Sequence, residues 1–153
     1  MKLVRLQANS ERDFERMYDL IVHNFSREHK MGSLSASEFN VEKGLRWWTI
    51  NASCAAWAME DEEGNFVASI GLHEDEPWYS TKKFLTDGWL FVRKDKRYQN
   101  MATVLIETAK EFAKERGMPL MIGIFNIEEI EGKVKAFQLM DMKLVSAIFM
   151  AGE

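Results

Sequence analysis

The sequence predicts an α/β fold: a mixed, mostly antiparallel sheet around one central parallel βαβ unit, with helices on both faces. Three observations carry that expectation. Residues 53–59 and 66–72 are apolar runs of strand length on either side of Asp61-Glu62-Glu63-Gly64-Asn65, whose turn chemistry makes them a hairpin. A strongly amphipathic helix near residues 102–116 separates two further apolar runs, and a helical crossover makes those two strands parallel. No repeat, low-complexity tract or linker interrupts the chain, so residues 1–153 read as a single domain with enough length for a hydrophobic core.

The remaining elements follow in order. Residues 2–7 alternate charged and apolar side chains, the period of a strand. Ser10 then caps a helix, with Asp13 placed as in a capping box. Phe14, Met17, Tyr18, Ile21, Val22 and Phe25 share one face of it, a core-facing stripe. Residues 27–37, with Gly32 and three serines, read as a loop. A second helix is expected over residues 37–48, with Val41, Leu45 and Trp48 on one side and Gly44 weakening it. After the hairpin, residues 73–85 read as a polar connection carrying Pro77, Trp78 and Tyr79, and a third strand follows at 86–93. The long helix buries Ala102, Leu105, Ile106, Ala109, Phe112 and Ala113; Arg116 and Gly117 end it, and Pro119 prevents continuation. Residues 120–125 read as a buried strand, 128–140 as a helix interrupted by Gly132, and 143–150 as a last strand.

Composition narrows the function. A net charge of −4 and a pI of about 5.5 disfavour a general nucleic-acid-binding surface. No apolar run reaches membrane-span length, and the first residues lack a signal-peptide core. Cys54, the single cysteine, lies in the apolar run SCAAWAM and reads as a buried, inert thiol; a cytoplasmic protein is the simplest expectation. His23 and His29 are six apart, the wrong spacing for one helix face, so no metal site is expected. Gly-x-Ser-x-Gly, Walker and dinucleotide patterns are absent.

Residues 92–105, VRKDKRYQNMATVL, are the most informative stretch. They lead from an apolar strand through a basic turn into a helix N-terminus, where unpaired amides and the helix dipole favour an anion. The spacing Arg97-x-x-Asn100-x-Ala102 resembles the acyl-CoA pyrophosphate loop of the GNAT N-acyltransferases, usually Arg/Gln-x-x-Gly-x-Gly/Ala, with Asn100 in the place of glycine. The order of elements is similar to that family's. Phe125-Asn126 matches its fifth strand, and in residues 136–142 (AFQLMDM) the family's tyrosine falls on Phe137 and its Gly-Phe on Asp141-Met142. The chain also resembles compact acetyltransferase-like proteins encoded by phages.

The resemblance implies an N-acetyltransferase that takes acetyl-CoA as co-substrate and an amine as acceptor. Backbone groups of Leu90, Phe91 and Val92 would pair with the pantetheine arm like an added strand. The pyrophosphate would rest on amides of Arg97, Tyr98, Gln99, Asn100, Met101, Ala102 and Thr103, with Asn126 nearby on the next strand. Asn100 either tolerates the left-handed backbone that glycine would adopt or serves as an ordinary N-cap. The amine needs a base, and Asp87 and His73 are the candidates. Asp87 reads equally as a turn residue in Thr-Asp-Gly, and His73 with Glu74, Asp75 and Glu76 as a solvated acidic loop. Phe137 donates no proton, which leaves the thiolate to water, Tyr79 or Tyr98, and Trp78-Tyr79 is the pair expected along an acceptor groove. The same pattern is compatible with a homodimer. Asn100, Phe137 and the missing Gly-Phe keep a second reading open: a GNAT-fold binding or structural protein without transfer activity, such as a phage virion or host-interaction factor.

Overall fold

The structure is a computed structural model and describes residues 1–22, 30–31, 34–35, 38–50, 55–124, 129–149 and 151. His23, Phe25, His29, Cys54, Phe125 and Asn126 lie outside the described residues, as do the side chains of Trp47 and Trp48. In chain order the elements are β1 (Lys2–Arg5), α1 (Glu11–Leu20), β2 (Lys30–Met31), β3 (Leu34–Ser35), α2 (Glu38–Ile50), β4 (Ala55–Glu60), β5 (Phe66–Asp75), β6 (Phe84–Val92), α3 (Met101–Glu115), β7 (Leu120–Met121) and α4 (Ile130–Leu139). The main sheet has the order β1-β4-β5-β6-β7; its neighbours are antiparallel except β6 and β7, which α3 joins as a parallel pair. This is the mixed sheet with one βαβ unit that the sequence predicts.

Strand alternation divides the core between the two faces. Ala55, Trp57 and Met59 of β4 pack with Leu105, Ala109 and Ala113 of α3. Ala56 and Ala58, pointing the other way, pack with Phe14, Met17 and Leu20 of α1 and Leu45 of α2. At the start of α1 the Ser10 hydroxyl accepts from the Asp13 N–H at 3.2 Å. The Asp13 carboxylate in turn accepts from the Gln7 N–H at 3.1 Å, one turn earlier than a capping box would place it. Arg16 fixes α1 to the hairpin: it pairs with Glu60 at 2.7 Å and lies 3.8 Å over the Phe66 ring. The hairpin turn is held by Asp61, whose carboxylate accepts from the N–H groups of Glu63 and Asn65.

Four expectations need correction. The strand pair β5–β6 is longer than foreseen, and the connection shrinks to residues 76–83 because His73, Glu74 and Asp75 pair with Thr86, Leu85 and Phe84. Their polarity is compatible with a strand because Glu74 is ion-paired with Arg116 and with Lys83. The stretch taken for a loop contains the short β2–β3 hairpin. Of the strand expected at 120–125, the described residues 120–124 form a strand only at Leu120–Met121, since the Gly123 N–H is taken by the Asp87 side chain at 2.8 Å instead of by a ladder carbonyl. The described residues 143–149 form no strand: β7 offers only two paired residues, and Leu144, Val145, Ile148 and Phe149 remain exposed. Among the described residues no helix is long and apolar enough to cross a membrane.

Two helix ends share one geometry. After α3 the Met118 N–H bonds the Ala113 carbonyl and the Gly117 N–H bonds that of Lys114, each at 3.0 Å, with Gly117 at φ +65°. After α4 the Met142 N–H bonds the Phe137 carbonyl at 3.0 Å and the Asp141 N–H that of Gln138 at 3.1 Å, with Asp141 at φ +57°. Both are Schellman ends, but the second places a side chain where glycine is unstrained. Gly71 is needed for a different reason: a Cβ there would stand 2.4 Å from the Trp89 ring, which lies flat across it.

Two outcomes follow from these positions. Asp141→Gly relieves the left-handed strain and raises stability by about 0.5–1 kcal/mol, a rise of about 2 °C in Tm; a lower melting temperature would contradict the strain. Gly71→Ala displaces the Trp89 indole and costs about 1–3 kcal/mol in urea unfolding, with a change in native tryptophan emission; an unchanged midpoint would show that the ring yields freely.

Candidate functional site

The parallel ladder between β6 and β7 consists of Leu85↔Leu120 and Thr86↔Met121. Beyond it the two chains part, and a cavity of about 400 Å³ fills the wedge. One wall is β6 from Asp87 to Val92 and the other is Gly123 and Ile124. Gln99, Ala102 and Thr103 close one end at the N-terminus of α3, while Ala136, Phe137 and Met140 cover it from α4. Lys94 and Lys133 add positive charge to its lining.

A bulge decides which side chains reach this cavity. Gly71 pairs with Trp89 but Leu72 pairs with Asp87, so Gly88 is an extra residue in β6. Leu90 packs on the α3 face of the sheet, and simple alternation would send Asp87 to the opposite face. The extra residue reverses the phase. Asp87, opposite Leu72 of the α3-side core, therefore lies on the cavity side, 9% exposed, and accepts the Gly123 N–H. Burial pushes its carboxyl above the ordinary value, against the lowering effects of the Gly123 hydrogen bond and of His73. Asp87 thus sits at the apex of the wedge as a buried acid that also fixes the wedge.

His73 is on the other face, and a Cβ at Gly88 would stand 3.7 Å from its Nδ1. It lines a second cavity of about 270 Å³ beneath α1 and α2, with Val41, Gly44 and Leu45 on one side and Gly71, Leu72 and Trp89 on the other. Gly88 and Trp89 line both cavities, so the two flank the sheet at the bulge. The Trp89 indole is held by its N–H, which donates to the Ser69 hydroxyl at 3.0 Å; that hydroxyl donates to the Trp57 carbonyl at 2.8 Å.

The basic turn differs from its sequence-based picture. Asp95 opens a 3₁₀ turn over Lys96–Tyr98: its carboxylate accepts from the Arg97 backbone N–H at 2.9 Å and from the Arg97 guanidinium at 2.8–3.2 Å. The Arg97 guanidinium and backbone hydrogen bonds bring the Asp95 carboxyl down to about 2. The Tyr98 N–H bonds the Asp95 carbonyl and its ring is buried in the α3-side core. Asn100 has φ −89° and makes no side-chain capping bond, so neither a left-handed backbone nor a side-chain N-cap explains it. Leu90, Phe91, Val92, Gln99, Ala102 and Thr103 do come together around the larger cavity, next to Asn100 and Met101 at the helix start.

Trp78 and Tyr79, expected along an acceptor groove, are 95% and 74% exposed in the β5–β6 connection and line neither cavity. The acids beside His73 are also reassigned: Glu74 is paired with cations, and the Asp75 carboxylate accepts from the Glu76 N–H at 2.8 Å. Sequence reasoning missed the bulge and the smaller cavity. The available signal was Gly88 itself, an isolated glycine within a strand pattern.

No curated protein matches the sequence. Solved structures with the same fold include a ribosomal-protein-alanine N-acetyltransferase from Brucella melitensis biovar Abortus, at 14% identity, TM-score 0.67 and 100% coverage of both chains. An aminoglycoside antibiotic 6'-N-acetyltransferase from Acinetobacter haemolyticus aligns at 12% identity and TM-score 0.72, over 100% of this chain and 98% of that one. An aminoglycoside acetyltransferase from an uncultured soil metagenomic sample aligns at 17% identity and TM-score 0.69, over 99% and 97%. At these identities the likeness is one of fold. Residues 14–128, well over half of the chain, match the Acetyltransferase (GNAT) family, and the protein belongs to that family.

Proposed function

We propose that this protein is an acetyl-CoA-dependent N-acetyltransferase formed by one domain over residues 1–153, acting on an amine. The observation that supports it is the pair of cavities that Gly88 lines, one ending at a helix N-terminus and the other reaching His73 from the opposite face. The residues present fit acetyl-CoA. A diphosphate suits the first-turn amides of α3, which have no intrahelical acceptors, with Lys94 and Lys133 for charge. Asp95 already holds the Arg97 and Tyr98 amides, so the cradle comprises Gln99, Asn100, Met101, Ala102 and Thr103. Ala102 keeps that approach unobstructed, and β6 at Leu90, Phe91 and Val92 offers a strand edge to the pantetheine arm.

In the transfer itself, the free-base amine attacks the thioester carbonyl; a C–N bond forms, the C–S bond breaks, and an amide and a thiol result. We assign His73 to removing the proton of the incoming ammonium, and the backbone at Gly88, released from the regular ladder, to polarising the carbonyl. Asp87 holds the wedge and faces the reacting end from the cofactor side. Phe137 lines the same cavity without a hydroxyl, which leaves the thiolate's proton to water. That lack of a phenol also supports a second reading, a GNAT-fold binding or structural protein that keeps the cavity and has lost turnover.

Calorimetry with acetyl-CoA separates the outcomes. Binding is expected and should vanish in Ala102→Trp, which fills the approach to the helix amides. No heat at about 1 mM ligand would sink the cofactor assignment, and binding without transfer to any amine would favour the second reading.

Asp87 gives a pH-dependent test. Its folded-state pKa is raised above 3.8, so the native state holds this proton to higher pH than the unfolded chain, and stability falls as pH rises from 3.8 through the raised value. Asp87→Asn removes the buried charge while keeping an oxygen for the Gly123 N–H. At pH 7 the variant is expected to unfold at a urea concentration no lower than the wild type, and a loss of turnover beside an intact fold would give the carboxylate itself a part in the transfer. Unchanged turnover would take Asp87 out of the chemistry.

A further inference from the structure

The smaller cavity bears on the identity of the acceptor. Its walls are mainly apolar, from Ile21, Val41, Leu45, Leu72 and Trp89. Asn40 and His73 are the polar side chains among the described residues that line it, and none of those residues is Asp, Glu, Lys or Arg. Glu74, although adjacent to His73 in sequence, pairs with Leu85 of the α3-side core and is bound to Arg116, so it stands on the other face. Asp75 shares the His73 face but lies at the exposed strand end, outside the lining.

Two consequences follow. Among the described residues no carboxylate lines the cavity to replace the hydration that a ligand carrying several ammonium groups would surrender, which disfavours such a ligand. A single amine is different, because it can lose its proton at His73 before it reacts. The volume of about 270 Å³ also falls below the roughly 300–1,000 Å³ of drug-sized sites. It suits one compact group against the flat Trp89 ring, which Gly71 and the Ser69 hydroxyl keep in place.

Resting on the acyl-transfer reading above, we propose that the acceptor is a primary amine bearing one compact apolar group, arylalkyl or branched aliphatic, with that group against Trp89 and its nitrogen between His73 and Gly88. The thioester's acetyl group passes to that nitrogen; starting from the ammonium, the nitrogen loses two protons, one to His73 and thence to solvent before attack and one as the amide forms, and the thiolate takes up one through water. A free amine and a peptide amino terminus with an apolar first side chain share this chemistry.

The test compares 2-phenylethylamine, isopentylamine, a peptide beginning with leucine, spermidine and kanamycin in an assay of thiol release from acetyl-CoA. The apolar amines or the leucine peptide should exceed spermidine and kanamycin at least tenfold in kcat/KM; the preferred one of the two identifies the source. Gly44→Leu supplies the site-directed arm. A Cβ at Gly44 meets nothing within 4 Å, so leucine projects into open space at the cavity wall, in a helix that favours it over glycine. The variant should raise KM for the preferred amine at least tenfold, with Tm not lowered and acetyl-CoA affinity unchanged. Preference for spermidine or kanamycin, or an unaltered KM in Gly44→Leu, overturns this inference while leaving acetyl transfer intact. Failure of the wild type to bind acetyl-CoA overturns both.

Discussion

The hydrogen bond from the Gly123 N–H to the Asp87 carboxylate, 2.8 Å long, marks the point at which this sheet stops being a continuous ladder. On one side of it β6 and β7 are paired; on the other they part around a cavity. A backbone acceptor at that position would prolong the parallel pairing and close the wedge. A side-chain acceptor satisfies the amide and ends the pairing at once. The bond itself depends on the Gly88 bulge, which turns Asp87 to the α3 face. One inserted residue thus places the acid, ends the ladder and stands in the lining of both cavities.

The cost of this arrangement is a carboxylate kept nearly out of water. The hydrogen bond from the Gly123 amide does not offset desolvation, and the carboxyl remains raised. An asparagine would bond the same amide without that cost. The acid's presence at the apex of a cavity, where stability alone favours an amide, is the physical argument for a chemical role.

The hairpin, the amphipathic α3 and its Gly117 end are legible in the sequence because each rests on local rules: turn residues, a 3.6-residue period, a left-handed C′ position. The wedge is partly legible, since the turn after β6 and the helix behind it mark its end at the N-terminus of α3. The side of the sheet on which Asp87 and His73 lie is not legible, because strand alternation carries phase only until a bulge shifts it. The failure at 143–149 is of the same kind. Leu144, Val145, Ile148 and Phe149 have strand-like composition, but a strand is made by its neighbour, and β7 offers two paired residues. Asp141 shows the reverse: what reads as loss of a family glycine retains the glycine backbone, with φ +57°.

The same distinction between side chain and backbone bears on the proposed cradle. Arg97 stands where a phosphate ligand is expected, yet its guanidinium is chelated by Asp95. A phosphate reaching Arg97 would replace one exposed ion pair by another, and the gain is only their difference. The first-turn amides of α3 face no such exchange, because a helix provides them no internal acceptor. Affinity for a diphosphate would therefore have to come from backbone amides, with lysines at the cavity wall adding charge. Asn100 is then compatible with the site through its backbone alone: at φ −89° it starts α3 in an ordinary helical conformation, and the position does not require the freedom of glycine.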